Sequence, residues 1–176
     1  AALAAPMALY LMDMEMLTGA CHYAWTCTGY LSACEHCPVP RSGVLRGWIR
    51  RQWRRRDQAF RRIAPVVVPA SGWLARQAAR GSLTRGLQRT QILIGIDAQR
   101  YAPGDKASLR RSFGLPEAAV VLYFGAQNLT DPRKGFRYLK AALQGLAASL
   151  SQAEREQVVL FTVGKLDTEV VGELPL

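Results

Sequence analysis

The side chains able to do chemistry gather in two places. The first is CHYAWTCTGYLSACEHCP, Cys21 to Pro38, which holds all four cysteines and both histidines of the 176 residues. Cys21, Cys27, Cys34 and Cys37 are spaced C-x5-C-x6-C-x2-C. Thiolates suit tetrahedral zinc and are commonly supplied in C-x2-C pairs, of which one is present. A structural zinc on the four cysteines, or on cysteines mixed with His22 or His36, is one reading. Free thiols packed into a loop are a second. Two disulfides are a third, disfavoured in a reducing compartment. A thioredoxin-like redox pair is set aside, because Pro38 follows Cys37 directly and no strand precedes Cys34. Just upstream lie Asp13 and Glu15. On an extended segment, two carboxylates two residues apart face the same side. They could serve as general acid or base, or stand as solvated loop acids.

The second place is YFGAQNLTDPRKGF, residues 123–136. A strand runs through Gly125 into a loop, and the loop into a helix opened by Asp131 and Pro132 as N-cap and first residue. Ligands of open α/β sheets bind at the C-terminal ends of strands. A helix start adds unpaired N–H groups and a positive dipole end. Arg133 and Lys134 add two cations, so an anion such as a pyrophosphate fits. The alternative is two solvated basic residues.

The elements that must position these groups follow from apolar patterning. MALYLM is a short buried strand, and 13–43 an ordered loop. Residues 44–63 form a basic helix whose apolar stripe is Leu45, Trp48, Ile49, Trp53, Phe60 and Ile63, interrupted by Arg56. PVVVP is a strand, and Ser71 caps the helix GWLARQAAR, stopped by Gly81. QILI (91–94), AVVLYFGA and QVVLFTVG are further strands. KASLRRSFGLP is a short helix ended by Gly114. The helix after Pro132 buries Phe136, Leu139, Leu143, Leu146, Ala147 and Leu150. Continuous apolar strands alternating with helices predict an α/β fold with parallel sheet covered on both faces.

The net charge is +10, and residues 41–62 hold nine arginines against one aspartate. Nucleic acid or an anionic membrane surface could use helix 44–63, with its tryptophans among arginines. A crossover helix with Trp inside and Arg outside explains the same pattern, because a strand follows at once. AALAAPMALYLM is too short to span a bilayer and lacks a basic leader, so a cytoplasmic location is expected. Neither end carries an obvious opening or closing element, and a piece of a longer protein is expected.

In this order the landmarks resemble one group of bacterial glycosyltransferases of family 4. MDMEMLTGACHYAWTCTGYLSACEHCP is similar to their His-Asp-Met, Thr-Gly-Gly-Cys-His-Tyr and Cys-Pro series. VVVPASGWLARQAARGSL, ILIGIDAQRYAPGDKASLRRSFGLP and VVLYFGAQNLTDPRKGFRYLKAAL resemble the segments that follow. The resemblance implies a GT-B architecture: parts of two Rossmann-like lobes, incomplete at both ends. Residues 1–90 would be the C-terminal part of the acceptor lobe, with the Cys-rich loop 13–43. Residues 91–176 would be the crossing and the first part of the nucleotide-sugar donor lobe.

The implied activity is sugar transfer, with retention, from a UDP- or GDP-linked donor to an acceptor hydroxyl. The acceptor would be a saccharide or lipid-linked, in polysaccharide or glycolipid assembly at the inner face of the membrane. No catalytic metal or other cofactor is required. Gly125, Arg133 and Lys134 would hold the donor phosphates, Gly19, His22 and Ser71 would border the acceptor cleft, and Asp13 would be catalytic. The family's His falls on Met12 here, its Gly-Gly on Gly19–Ala20, its Asn on Ile94, and a frequent Arg on Ala126. The piece alone is expected to be inactive. The alternatives are a degenerate, non-catalytic homologue and a zinc-stapled basic nucleic-acid-binding protein, although a nucleic-acid partner is the less favoured.

Overall fold

A computed structural model describes residues 5–39, 42–129 and 131–165. The chain divides into two units, Ala1–Ala98 and Gln99–Leu176. Both units are α/β, each built on a two-stranded parallel sheet.

In the first unit, β1 (Ala8–Leu11) lies parallel to β2 (Val66–Pro69), with Leu11 opposite Pro69. A parallel pair needs a long crossover. The Cys-rich loop and α1 (Gly43–Ile63) supply it. Ser42 caps α1 by accepting from the Leu45 N–H, and Ala64 ends it in the left-handed conformation. Arg61 and Arg62 in its last turn complement the dipole. After β2, Ser71 caps α2 (Gly72–Arg80), as its side-chain type predicts, accepting from Leu74 N at 3.2 Å. Gly81 is the C-cap but not left-handed (φ −62°). The space is tight instead: a Cβ there would lie 3.3 Å from the Gln77 carbonyl.

The core joins Leu11 and Val67 from the sheet and Leu74 and Ala78 from α2 to Met14, Leu17, Ala24 and Tyr30 from the loop. Half of this core therefore belongs to a segment without regular strands or α-helices. Two short 3-10 turns, Glu15–Leu17 and Gly29–Leu31, shape it. Tyr30 anchors it to α2, its hydroxyl donating to Gln77 Oε1 at 2.5 Å. The Tyr30 carbonyl accepts from both Ser82 N and Ser82 Oγ.

Two expectations fail in this unit. QILI is not a strand. The chain meets β2 slightly earlier, in a parallel bridge of Arg89 with Val67, followed by Thr90 N to Val67 O and Ile92 N to Pro69 O. Beyond that, Leu93, Ile94 and Ile96 are exposed. The α1 stripe is also narrower than its spacing predicts. Ile49 and Phe60 are buried, while Leu45, Trp48 and Ile63 are exposed. Arg56 occupies the middle of the face turned to the loop, so the apolar contact is split around it.

In the second unit, β3 (Val120–Asn128) pairs in parallel with β4 (Val158–Lys165), Val120 opposite Val158. Their register slips between Gly125 and Asn128. Gly164 sits at the slip with φ +143°, and a Cβ there would overlap the Ala126 carbonyl. Asp105 caps α3 (Lys106–Ser112), and Gly114 follows with φ +66°. α4 (Phe136–Ser149) buries Phe136, Leu143 and Ala147, while Leu139, Leu146 and Leu150 are half-buried. A capping box of Ser151 and Glu154 opens the short α5 (Gln152–Arg155).

The sheet here is not covered as the apolar runs predict: Val120, Tyr123 and Val163 are exposed. Among the described residues no helix is long and apolar enough to cross a membrane.

Candidate functional site

At the C-terminal end of β1 the chain turns sharply instead of staying extended. Asp13 Oδ1 accepts the Glu15 N–H at 2.8 Å, which starts the first 3-10 turn. Thr18, fully buried, then closes the following turn. Its Oγ1 accepts from Cys21 N at 2.8 Å and lies 2.9 Å from Cys21 O. The chain thereby doubles back, and Met14 N donates to His22 O at 3.0 Å. The result places His22 Nδ1 2.7 Å from Asp13 Oδ2 and 3.9 Å from Glu15 Oε2. Asp13 and Glu15 converge on one imidazole, not through an extended segment but through a turn.

Burial pushes the Asp13 carboxyl up, but the Glu15 N–H, the hydrogen bond to His22 and the imidazole's attraction outweigh it. The net effect holds Asp13 below its ordinary value. An ionised Asp13 is placed to accept a hydrogen bond from His22 Nδ1–H. Among the described residues, Asp13, Glu15 and His22 are the group of metal-ligating atoms lying within 4.8 Å of one another. Met12 stands beside them, 70% exposed.

α1 holds this turn from outside. Arg56, half-buried, donates from Nη1 to the carbonyls of Glu15, at 2.6 Å, and Thr18. Its Nη2 reaches Glu15 Oε1 at 3.3 Å. Arg50 and Arg54 reach Glu35 at 3.2 and 3.9 Å. The interruption in the apolar stripe is thus a tie between helix and loop. Nothing in the spacing of the helix alone discloses the carbonyls it serves.

The other expected cleft residues lie elsewhere. Gly19 is buried under α1, where a Cβ would come 2.6 Å from Ile49 Cγ2 and 2.8 Å from Ile49 O. At this position it lets the loop pack closely on the helix. The hydroxyl of Ser71 is engaged in capping α2.

The four cysteines are free of disulfides. They surround one small cavity of about 20 Å³, together with His36 and Ile49. Burial pushes the Cys34 thiol up, a hydrogen bond from Gly19 N–H opposes this, and the nearby Cys21, Cys27 and Cys37 add to the rise. Burial likewise raises Cys21, helped by Cys37 and Cys27.

In the second unit, Gly125 lies within β3, not at its end. The helix expected from Pro132 is broken in two. Pro132–Lys134 is a 3-10 turn, Gly135 is left-handed (φ +79°), and α4 starts at Phe136. Asp131 does cap the turn, accepting from Arg133 N at 2.9 Å. It also accepts from the Arg133 guanidinium, Nε to Oδ1 at 2.9 Å, with Nη2 closing on Oδ2. The Arg133 hydrogen bonds pull the Asp131 carboxyl down to about 2. An incoming anion would share Arg133 with Asp131, while Lys134 stands exposed in the same turn.

Comparison with protein-family models, with curated proteins and with solved structures returns no match.

Proposed function

We propose that the chain is part of a glycosyltransferase of GT-B type, each unit belonging to one Rossmann-like lobe. The observation that carries the reading is the Asp13–His22 pair at the C-terminal end of β1. That is the edge of a parallel sheet where ligands bind. The family pattern requires an imidazole at this strand end and the chain has Met12 instead. His22 supplies an imidazole beside this strand end, by the turn described above, held against Asp13. Its Nε2 is suited to hydrogen-bond a donor sugar or phosphate, or to take the proton of an acceptor hydroxyl.

On the donor side, Arg133 and Lys134 would offset the charge that develops on the departing nucleoside diphosphate. The C–O bond from the sugar's anomeric carbon to the diphosphate breaks, and a bond to the acceptor oxygen forms. The acceptor's proton leaves with the diphosphate or through His22. No metal is needed for this balance. The cytoplasm is the proposed location. The arginine-rich outer face of α1, with exposed Val44, Leu45 and Trp48, would rest on an anionic membrane surface presenting a lipid-linked acceptor.

The test titrates UDP- and GDP-sugars into the chain and into a full-length parent, with turnover followed in the parent. Turnover that falls on His22→Gln supports the reading. A full-length parent that neither binds nor turns over any nucleotide sugar overturns it. Salt-sensitive nucleic-acid binding in its place would favour the basic alternative.

A further inference from the structure

The cysteines of the loop between β1 and α1 come from four separate points of the chain, yet all four line the same cavity. The folding of the loop brings this about. The Gly29–Leu31 turn packs between two of them: a Cβ at Gly29 would lie 3.4 Å from Cys27 Sγ and 3.7 Å from the Cys34 Cα. Gly29 O accepts the Cys34 N–H at 3.0 Å. Cys37 closes the cavity from the far end of the C-x2-C pair and is itself buried. With about 20 Å³ of space, the cavity admits one atom-sized occupant and nothing larger.

Two backbone donors face the sulfurs. Gly29 N–H points at Cys27 Sγ at 3.4 Å, two residues on, and Gly19 N–H points at Cys34 Sγ. Glu35, between Cys34 and His36, is tied to Arg50 and Arg54 of α1. That tie holds the C-terminal part of the loop against α1. Cys34 itself holds a left-handed conformation (φ +49°). A non-glycine residue keeps such a conformation only where its surroundings over-determine it.

We infer that Cys21, Cys27, Cys34 and Cys37 form a structural zinc site that closes the loop between β1 and α1. Four thiolates and no open position are the donor set of a structural tetrahedral site. Such a site puts its sulfurs about 3.8 Å apart, from a Zn–S bond of about 2.3 Å. No three of the sulfurs are within 4.8 Å of one another. Binding therefore draws the loop in around the cavity and releases the thiol protons to solvent. The inference is independent of the sugar-transfer reading, because no ligand of this site belongs to the Asp13–His22 pair.

The test uses the whole chain, reduced and stripped of metal, titrated with Zn2+ and separately with Co2+. One Zn2+ per chain is expected. The Co2+ form is expected to show the intense visible bands of tetrahedral coordination and the near-ultraviolet charge-transfer band of thiolate ligation. Cys37→Ser and Cys34→Ser are expected to cut zinc affinity by more than the roughly 10–100-fold that loss of a supporting partner costs. His22→Gln and His36→Gln are expected to leave it within a few-fold. Absence of stoichiometric binding, an octahedral Co2+ spectrum without the thiolate band, or two disulfides in the freshly isolated chain would each overturn the site. So would zinc lost with His22→Gln but kept with Cys37→Ser. The Co2+ spectrum of the unsubstituted chain decides the matter even if a cysteine variant fails to fold.

Discussion

Arg56 Nη1 lies 2.6 Å from the carbonyl oxygen of Glu15, forty-one positions earlier in the chain. One guanidinium thereby satisfies the backbone of the turn that carries Asp13, and a long crossover helix becomes the support of a loop. Hydrogen bonds from a charged donor contribute about 1.5–3 kcal/mol where burial limits water. Arg56→Leu is expected to lower stability by about 2 kcal/mol in urea denaturation. Arg55→Leu, on the exposed side of the same helix, is expected to change it by less than about 0.5 kcal/mol. Equal effects of the two substitutions would deny Arg56 its special place.

Gly19 and Gly47 separate packing from propensity. A Cβ at Gly19 meets Ile49 Cγ2 and the Ile49 carbonyl, whereas one at Gly47, inside α1, meets nothing within 4 Å. Gly19→Ala is expected to cost about 1–3 kcal/mol by overpacking. Gly47→Ala is expected to gain about 0.5–1 kcal/mol through helix propensity. Thermal denaturation of the two variants checks the opposite signs.

The Asp13 carboxyl sits below its ordinary value of 3.8 in the folded chain. A group with a depressed folded pKa stabilises the fold above its unfolded pKa, and loses that contribution as pH falls through the folded one. The wild-type chain is therefore expected to be more stable than Asp13→Asn at neutral pH. The two stability curves should converge as pH drops below about 3.8. Parallel curves down to the acid limit would show that the pairing with His22 carries no free energy.

Asp131, held at about 2 by Arg133, makes the matching case in the second unit. Carboxyl NMR titration of Arg133→Ala is expected to move Asp131 up toward 3.8, its ordinary value. Asp131→Asn keeps a good N-cap while removing the charge that engages Arg133. If Arg133 and Lys134 receive a diphosphate, this variant binds inorganic pyrophosphate more tightly than wild type in calorimetric titration. Unchanged or weaker binding would remove Arg133 from the donor side.

The residues themselves determined what is local. Ser71, Asp105 and Asp131 are caps because their short oxygen-bearing side chains reach N–H groups two or three residues on. Apolar runs between prolines and glycines set the order of strands and helices, and a parallel pair followed from the helix between β1 and β2. Gly135 was the local signal missed: a left-handed glycine three residues after Pro132 ends one turn and starts α4.

Tertiary structure alone decided the site. His22 reaches Asp13 only because Thr18 folds the chain back, and Arg56 breaks its stripe only because two loop carbonyls lie within its reach. Gly19 is held under Ile49, and four scattered cysteines share one cavity. QILI has the composition of a strand but lost that role, because the chain had already made its bridge to β2 at Arg89. Periodicity and capping depend on neighbours a turn away, whereas these contacts depend on the path of a loop. That path is set by buried hydrogen bonds and close packing, which leave no period in the chain.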